Sequence, residues 1–453
     1  MKPLPRHVGL ALAVGLLVAV CAPSAPARQA VDHAAASPAA SPVTSPSQGD
    51  LLYTRDLGPS QGITVVDAST GAVVRRLPWG VPSPDWSVVY RAEGSQSTVL
   101  RVLDAATGAT LREHALPGPY AYESPVFGPL GDPVGLSPNG QWLALRTRGM
   151  RSGFLVMGTT PASPTTPLAS TSLALDGDFS FDALSSSGTT LYLEERLPPG
   201  RPIDGYRIRA YDLGTRSLVP GAVVDKSETG DRMSGERVAA LASGDGTWLH
   251  SLYVRGDGSA PFVHALNLTE RWALCLFLPT AGTGGTGEEQ FAWTLAAAPD
   301  GRRAYVVNTL AGVVTELDLR EPKLGRTAKF VVASADQPSP LEALARWFMP
   351  VAAAKSEMFS TAVVSPDGAT LYAVGDFGGA ILAISTATLS IAWRIRPRAG
   401  GVLGLGVSPD GARLYATTSA GSAILRIDAA NGSVLGSATA AAQIGRIFRV
   451  ASR

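Results

Sequence analysis

"AVVSPDGATLYAVGDFGGAILAIS" (362–385) and "GLGVSPDGARLYATTSAGSAILRID" (404–428) spell the same strand, tight turn and further strands twice, with Gly368 and Gly411 43 residues apart. An Asp-Gly pair between β-rich runs marks a hairpin, because glycine adopts the positive φ that such a turn needs. The pattern spreads outward from this pair. Turns of the same kind stand at Ser137-Pro138-Asn139-Gly140, Ser185-Ser186-Ser187-Gly188, Gly244-Asp245-Gly246 and Pro299-Asp300-Gly301. Four residues after each glycine comes Ala144, Tyr192, His250, Tyr305, Tyr372 or Tyr415, so one slot usually holds an aromatic ring.

A later strand of each unit ends on Asp67, Asp104, Asp212, Asn267, Asp318, Ser385 or Asp428, followed by turns such as "ASTG" and "AANG". Such side chains accept hydrogen bonds from turn amides two or three residues on, so an acid here implies a capped turn, with no chemistry required. Each unit reads as four short strands without an intervening helix, which is a β-propeller blade. With "GFLVMGTTP" (153–161) as a degenerate third strand the count is eight blades, and seven is the fallback. The expected fold is all-β, a single propeller over residues 51–453.

The first unit begins at "LLYTRD" (51–56) with no inner strand ahead of it, whereas the chain ends on "IGRIFRVAS" (444–452), which has strand composition. The tail is therefore expected to supply the missing inner strand and close the ring, removing two open sheet edges. "SPDGARLYATTSAGSAILRIDAANGSVLGSA" (408–438) and "APDGRRAYVVNTLAGVVTELD" (298–318) resemble the repeats of YVTN-type bacterial β-propellers, the second nearly containing the signature as Tyr305-Val306-Val307-Asn308. This resemblance implies an extracytoplasmic propeller, similar to lactonase-like and quinoprotein-like scaffolds.

Ahead of the repeats, Lys2 and Arg6 precede the apolar run "VGLALAVGLLVAV" (8–20), shorter than the about 20 residues a spanning helix needs, so residues 1–27 read as a targeting segment. Ala25-Pro26-Ala27 fits release after Ala27. Val18-Ala19-Val20-Cys21 fits lipidation of Cys21, although Val20 is bulky for that motif. Both routes lead out of the cytoplasm, to secretion or to a lipid anchor at the cell surface. Residues 28–50 are rich in Ala, Ser and Pro and read as a disordered tether.

A formal net charge of +1 gives no whole-protein field for nucleic acid or an anionic membrane. Within the propeller only Cys275 remains, so a disulfide framework within one chain is excluded. His114, His250 and His264 are scattered and read as structural. No haem-attachment motif, glycine-rich phosphate loop or Gly-x-Ser-x-Gly elbow occurs, and no cofactor is expected.

Blade connections alternate between two faces, and the long segments all fall in one set: 116–133, 194–205, 225–237, 279–290 and 333–358. Long loops on a rigid scaffold carry function, which assigns the working surface to that face. Within 333–358, Ser339-Pro340-Leu341-Glu342 reads as a helix start, giving a short helix near 339–349. Tyr120, Tyr122, Arg201 and Trp347 are the expected contact residues, since aromatics and arginine dominate interface energetics. Glu123, Glu194 and Asp204 share that face. With Glu195 and Asp376 they offer oxygen donors for Ca²⁺, the basis of an alternative reading as a metal-dependent lactonase-like hydrolase with its site at the central channel. The leading expectation is a monomeric, non-catalytic binding scaffold for a protein, glycan or cell-envelope component. Arg146, Arg148 and Arg151 form a basic cluster on the same face, and Arg255-Gly256-Asp257 matches an adhesion tripeptide.

Overall fold

The computed structural model describes residues 49–59, 61–123, 134–160, 168–197, 205–224, 232–255, 259–279, 292–331, 361–375, 379–398, 400–419 and 422–453. Cys21, Arg201, Asp204, Trp347, Asp376 and the helix expected near 339–349 lie outside these residues.

The described residues form eight four-stranded antiparallel sheets, the eight blades of a propeller. Seven blades use four consecutive strands, running over residues 81–116 (blade 2), 120–174 (blade 3), 179–218 (blade 4), 236–277 (blade 5), 293–329 (blade 6), 362–395 (blade 7) and 402–439 (blade 8). Blade 1 takes Leu51–Asp56, Ile63–Asp67 and Val73–Leu77 from the start of the fold and its inner strand, Ile444–Ala451, from the end. Leu51 pairs with Ala451 and Asp56 with Ile444, the closure expected from the unmatched terminal strands.

Neighbouring blades pack face to face through apolar side chains. In blade 6, Tyr305, Val307 and Val314 meet Leu371, Leu382 and Ile384 of blade 7, all almost fully buried. The alternation of the repeat supplies both faces of every sheet with such residues.

The acid-ending strands are capped as expected. Asp67 Oδ1 accepts from the amides of Ser69 and Thr70 at 2.9 and 3.0 Å, and Asn267 Oδ1 from Thr269 and Glu270 at 2.9 and 2.7 Å. The aromatic slot has a reason that the repeat alone did not state. Tyr53 donates to the Ala105 carbonyl, Tyr192 to that of Asn267, and Tyr372 to that of Ala429. His250 Nε2 lies 3.0 Å from the Leu319 carbonyl, which fixes its proton on that nitrogen. Each of these four rings ties its blade to the capped turn of the next, whereas the buried Tyr305 hydroxyl in the same slot of blade 6 has no hydrogen-bond partner among the described groups. At the ring junction the rule changes: Tyr415 donates to the carboxylate of Asp50 at 2.6 Å. Asp50, the last residue of the expected tether, is buried and belongs to the closure.

One tight turn escaped the sequence pattern. Blade 2 turns at Ser83-Pro84-Asp85-Trp86-Ser87, with Ser83 and Ser87 both donating to Asp85 Oδ1. Its fourth position has φ +58° at Trp86, where the six turns read from sequence place glycine at φ between +62° and +75°. A bulky residue there costs about 1–2 kcal/mol.

Glycine is doubly required at Gly188. Its φ is +68°, and an added Cβ would stand 2.1 Å from Cε2 of the Trp142 indole. Gly149 has φ +75° with nothing near such a Cβ. Gly149→Ala is expected to cost about 1 kcal/mol from backbone strain alone. Gly188→Ala adds overpacking and is expected to cost about 3 kcal/mol. Urea titration of the two variants checks this, and equal losses would remove the steric part.

Candidate functional face and its buried acid–base network

Antiparallel order puts the links from first to second and third to fourth strand on one face, here the turn face, where the short Asp-Gly turns lie. The links from second to third strand and from blade to blade lie on the other, the connection face. The described ends of the long segments gather on the connection face; for example, Leu197 donates to Gly205 across one of them. Two blade edges differ from single strands. At the inner edge of blade 3, Tyr120 pairs with Thr147 and Ala121 with Arg146, Glu123 bridges Val134, and Leu136 then pairs with Leu143, so the edge is made of two pieces. At the outer edge of blade 4, Val223 pairs with Ile208 and Met233 with Tyr206.

Tyr120 is turned inward, 5% exposed, against Tyr90, Leu100 and Leu143. Tyr122 is half-buried and its hydroxyl donates to the Tyr90 carbonyl at 2.7 Å, an interior position that pushes the phenol well above its ordinary range. Glu123 is buried, paired with Arg146 through Oε1, and accepts the Phe181 amide on Oε2 at 2.6 Å. It therefore joins the approach to blade 3 to the inner strand of blade 4.

The basic cluster is spent locally. Arg146 holds Glu123 and the Arg151 carbonyl, Arg148 donates to the Tyr120 carbonyl at 3.1 Å, and Arg151 lies 3.8 Å from Asp178. Arg255 of the adhesion-like tripeptide stacks on Phe262 and Phe277, 4.7 and 5.4 Å from their centroids.

Glu194 and Glu195 are adjacent in a strand and so point to opposite sides of blade 4. Glu195 pairs with Arg207 and Arg209 at 2.7 and 2.8 Å. Burial raises its pKa, but the bonds from the two arginines outweigh that and leave it below the ordinary value. Glu194 faces blade 5 and is only 8% exposed. The acids proposed as Ca²⁺ donors are thus divided: Glu123 faces Arg146, Glu195 faces Arg207 and Arg209, and Glu194 lies in the blade 4–blade 5 interface. Among the described residues no group of three or more His, Cys, Asp or Glu side chains is placed to hold a metal ion.

Around Glu194 lies a network that the sequence did not announce. Ser180 donates to its Oε2 at 3.3 Å, and Arg237 of blade 5 binds Asp182 of blade 4 at 2.6 Å, with both partners buried. The Tyr206 and Tyr253 rings stack at 5.6 Å in the same interface. Their hydroxyls and Asp182 Oδ2 are buried without hydrogen-bond geometry to any described group. Two acids thus share one buried arginine. Burial first, and then the Asp182 charge, push the Glu194 carboxyl up to about 7, against the pull of Arg237, Arg196 and Ser180. The partners come from positions 182 and 194 of one blade and 237 of the next, and no local motif joins them.

Comparison with protein-family models gives no match, and comparison with curated proteins gives none. Solved structures do share the fold. AztD from Citrobacter koseri, in its apo form, is similar with a TM-score of 0.50 at 13% identity, over 88% of this chain and 97% of that one. The dihydro-heme d1 dehydrogenase NirN, in complex with DHE, gives 0.45 at 14% identity over 90% of this chain and 75% of that one. Chaetomium thermophilum Sqt1, bound to the N-terminus of the ribosomal protein L10, gives 0.43 at 13% identity over 79% and 86%. At such identities the likeness concerns the propeller fold alone.

Proposed function

We propose that the protein is a binding propeller of the YVTN type that uses its connection face to hold a protein, glycan or cell-envelope component and catalyses no reaction there. The observation that carries this reading is the asymmetry of the two faces. The long links 194–205, 225–237, 279–290 and 333–358 join strands on the connection face, while the turn face carries short capped turns, with one exception in blade 3, where eleven residues separate Gly153–Gly158 from Ser170–Ala174. A rigid ring elaborated on one side presents a broad surface at low entropic cost. Of the described acids, Glu123 and Glu195 are paired with arginines and Glu194 is buried between blades 4 and 5, which favours a contact surface over a carboxylate metal centre. In this reading residues 1–27 direct export, residues 28 onward tether the ring, and the protein works outside the cytoplasm, secreted or anchored through Cys21.

The test is face-selective capture from a cell-envelope fraction. Replacing residues 333–358 by a short Gly-Ser linker is expected to weaken retention of the captured component about tenfold or more, with an unchanged melting temperature. Arg302→Glu, on the exposed turn face, is expected to leave retention intact. The reading fails if the loop replacement retains everything while Arg302→Glu releases it.

A further inference from the structure

Where blades 1, 2 and 3 meet, the structure forms a half-open pocket of about 300 Å³. It is lined by Ile63, Trp79, Val81, Trp86, Leu136 and Phe448, with Gly80, Pro82, Val134 and Gly135 completing the wall. Trp79, Trp86 and Phe448 are half-buried, so their rings stay open to water at the cavity. The Phe448 ring stands between the other two, 6.1 Å from Trp79 and 6.2 Å from Trp86. We propose that this cavity binds a small, uncharged, planar aromatic molecule of about two fused rings.

Three independent features separate this space from a packing defect. First, Trp86 holds the left-handed conformation that the six sequence-read turns assign to glycine, a strain that persists only where the surroundings pin it. Second, the inner strand of blade 2 is cut to Val81–Pro82 and that of its neighbour blade 3 to Tyr120–Ala121, while blade 7 keeps three residues and blades 4, 5, 6 and 8 have five to seven. Gly80 and Pro82 flank and limit it, and the shortening opens the room that the rings line. Third, the lining chemistry is uniform. No charged or hydroxyl side chain belongs to the wall, and the Arg55 guanidinium lies 4.4 Å from the Trp79 centroid and that of Arg446 6.0 Å from the Phe448 centroid, so a cationic ligand would lose its hydration and meet like charge. A planar ring would gain edge and offset contacts with three aromatic partners. The volume is at the lower end of small-ligand sites, which suits a fused bicycle and excludes a large cofactor.

Trp86 and Phe448 also serve the closure: Trp86 packs edge-on against Tyr53 at 5.6 Å and its carbonyl accepts from Arg449 at 3.1 Å. The test therefore leaves both in place. Calorimetric titration with 2-naphthol at neutral pH is expected to show one saturable site per chain. Trp79→Ala is expected to weaken it about tenfold or more. Leu136→Trp, which fills the space from a different blade, is expected to abolish it, with the melting temperature close to wild type. The cationic analogue 2-naphthylmethylamine, protonated at neutral pH, is expected to bind more weakly than 2-naphthol. No saturable binding by the wild-type protein, unchanged affinity in a folded Trp79→Ala or Leu136→Trp variant, or tighter binding of 2-naphthylmethylamine would each overturn the proposal. If Trp79→Ala fails to fold, Leu136→Trp decides alone.

Discussion

A chain that stops at Gln443 is expected to lose the ring altogether, giving insoluble protein or soluble protein with no cooperative thermal transition. The removed strand is the inner strand of blade 1, paired with Leu51–Asp56 over its whole length. It carries Ile444 and Ile447, 1% and 6% exposed, along with Phe448 and Val450 at the junction. Burying the two isoleucines alone is worth about 4 kcal/mol, and the partly buried pair adds to that. Thr417 of blade 8 donates to the Gly445 carbonyl at 2.7 Å, Arg449 reaches Trp86 of blade 2, and Arg453 pairs with Asp67 at 2.9 Å. One strand thus connects blades 8, 1 and 2. Its loss is comparable with the whole stability of an ordinary domain, about 5–15 kcal/mol, and leaves an unpaired strand edge that recruits other chains. A peptide of residues 444–453 added during refolding is expected to restore part of the soluble yield. Wild-type melting of the truncated chain would show that the first three strands of blade 1 are held without it.

This closure could be inferred from the sequence because it follows from counting. Seven units carry four strands each, one start lacks an inner strand, and one tail has strand composition with no other place to go. Turn chemistry was equally readable wherever glycine marked it, since Gly368 and Gly411 announce a positive φ by their identity. Trp86 broke that code: the backbone there is the same, but its residue type does not advertise it. The site was less legible for a related reason. Tyr120 and Tyr122 have the composition of contact residues, yet an aromatic at a blade edge can turn inward to a neighbouring carbonyl as readily as outward. The Asp182–Arg237 pair joins residues 55 apart through the packing of two sheets, which no periodicity within either strand encodes. An arginine leading into the apolar run of an inner strand, "ERVAALA" (236–242), was the one available signal, because such a charge, once buried, requires a partner.

Glu194→Gln is expected to leave stability nearly unchanged at pH 4.5 and to raise it by about 3 kcal/mol at pH 8, relative to the wild type. The unfolded carboxyl titrates near its ordinary 4.5, whereas in the fold burial and the Asp182 charge push it up to about 7. Between those values the folded state keeps a proton that the unfolded state has released. The Glu194 contribution to stability therefore falls as pH rises from about 4.5 to about 7, and is constant above. A separation of about 2.5 units corresponds to about 3 kcal/mol. Glutamine has the shape of the protonated acid and never ionises, so it avoids the loss. The buried His250 works with the opposite slope, because burial lowers its pKa and the unfolded chain takes up protons first below about 6.5. It is present in both proteins and cancels in the difference. Urea titrations of the two proteins at half-unit pH steps give the curve. A difference that stays flat, or that favours the wild type as pH rises, would mean that Arg237 compensates Glu194 as fully as it does Asp182. The single arginine would then neutralise both acids, and the interface between blades 4 and 5 would be a settled ion triad with no cost left to relieve.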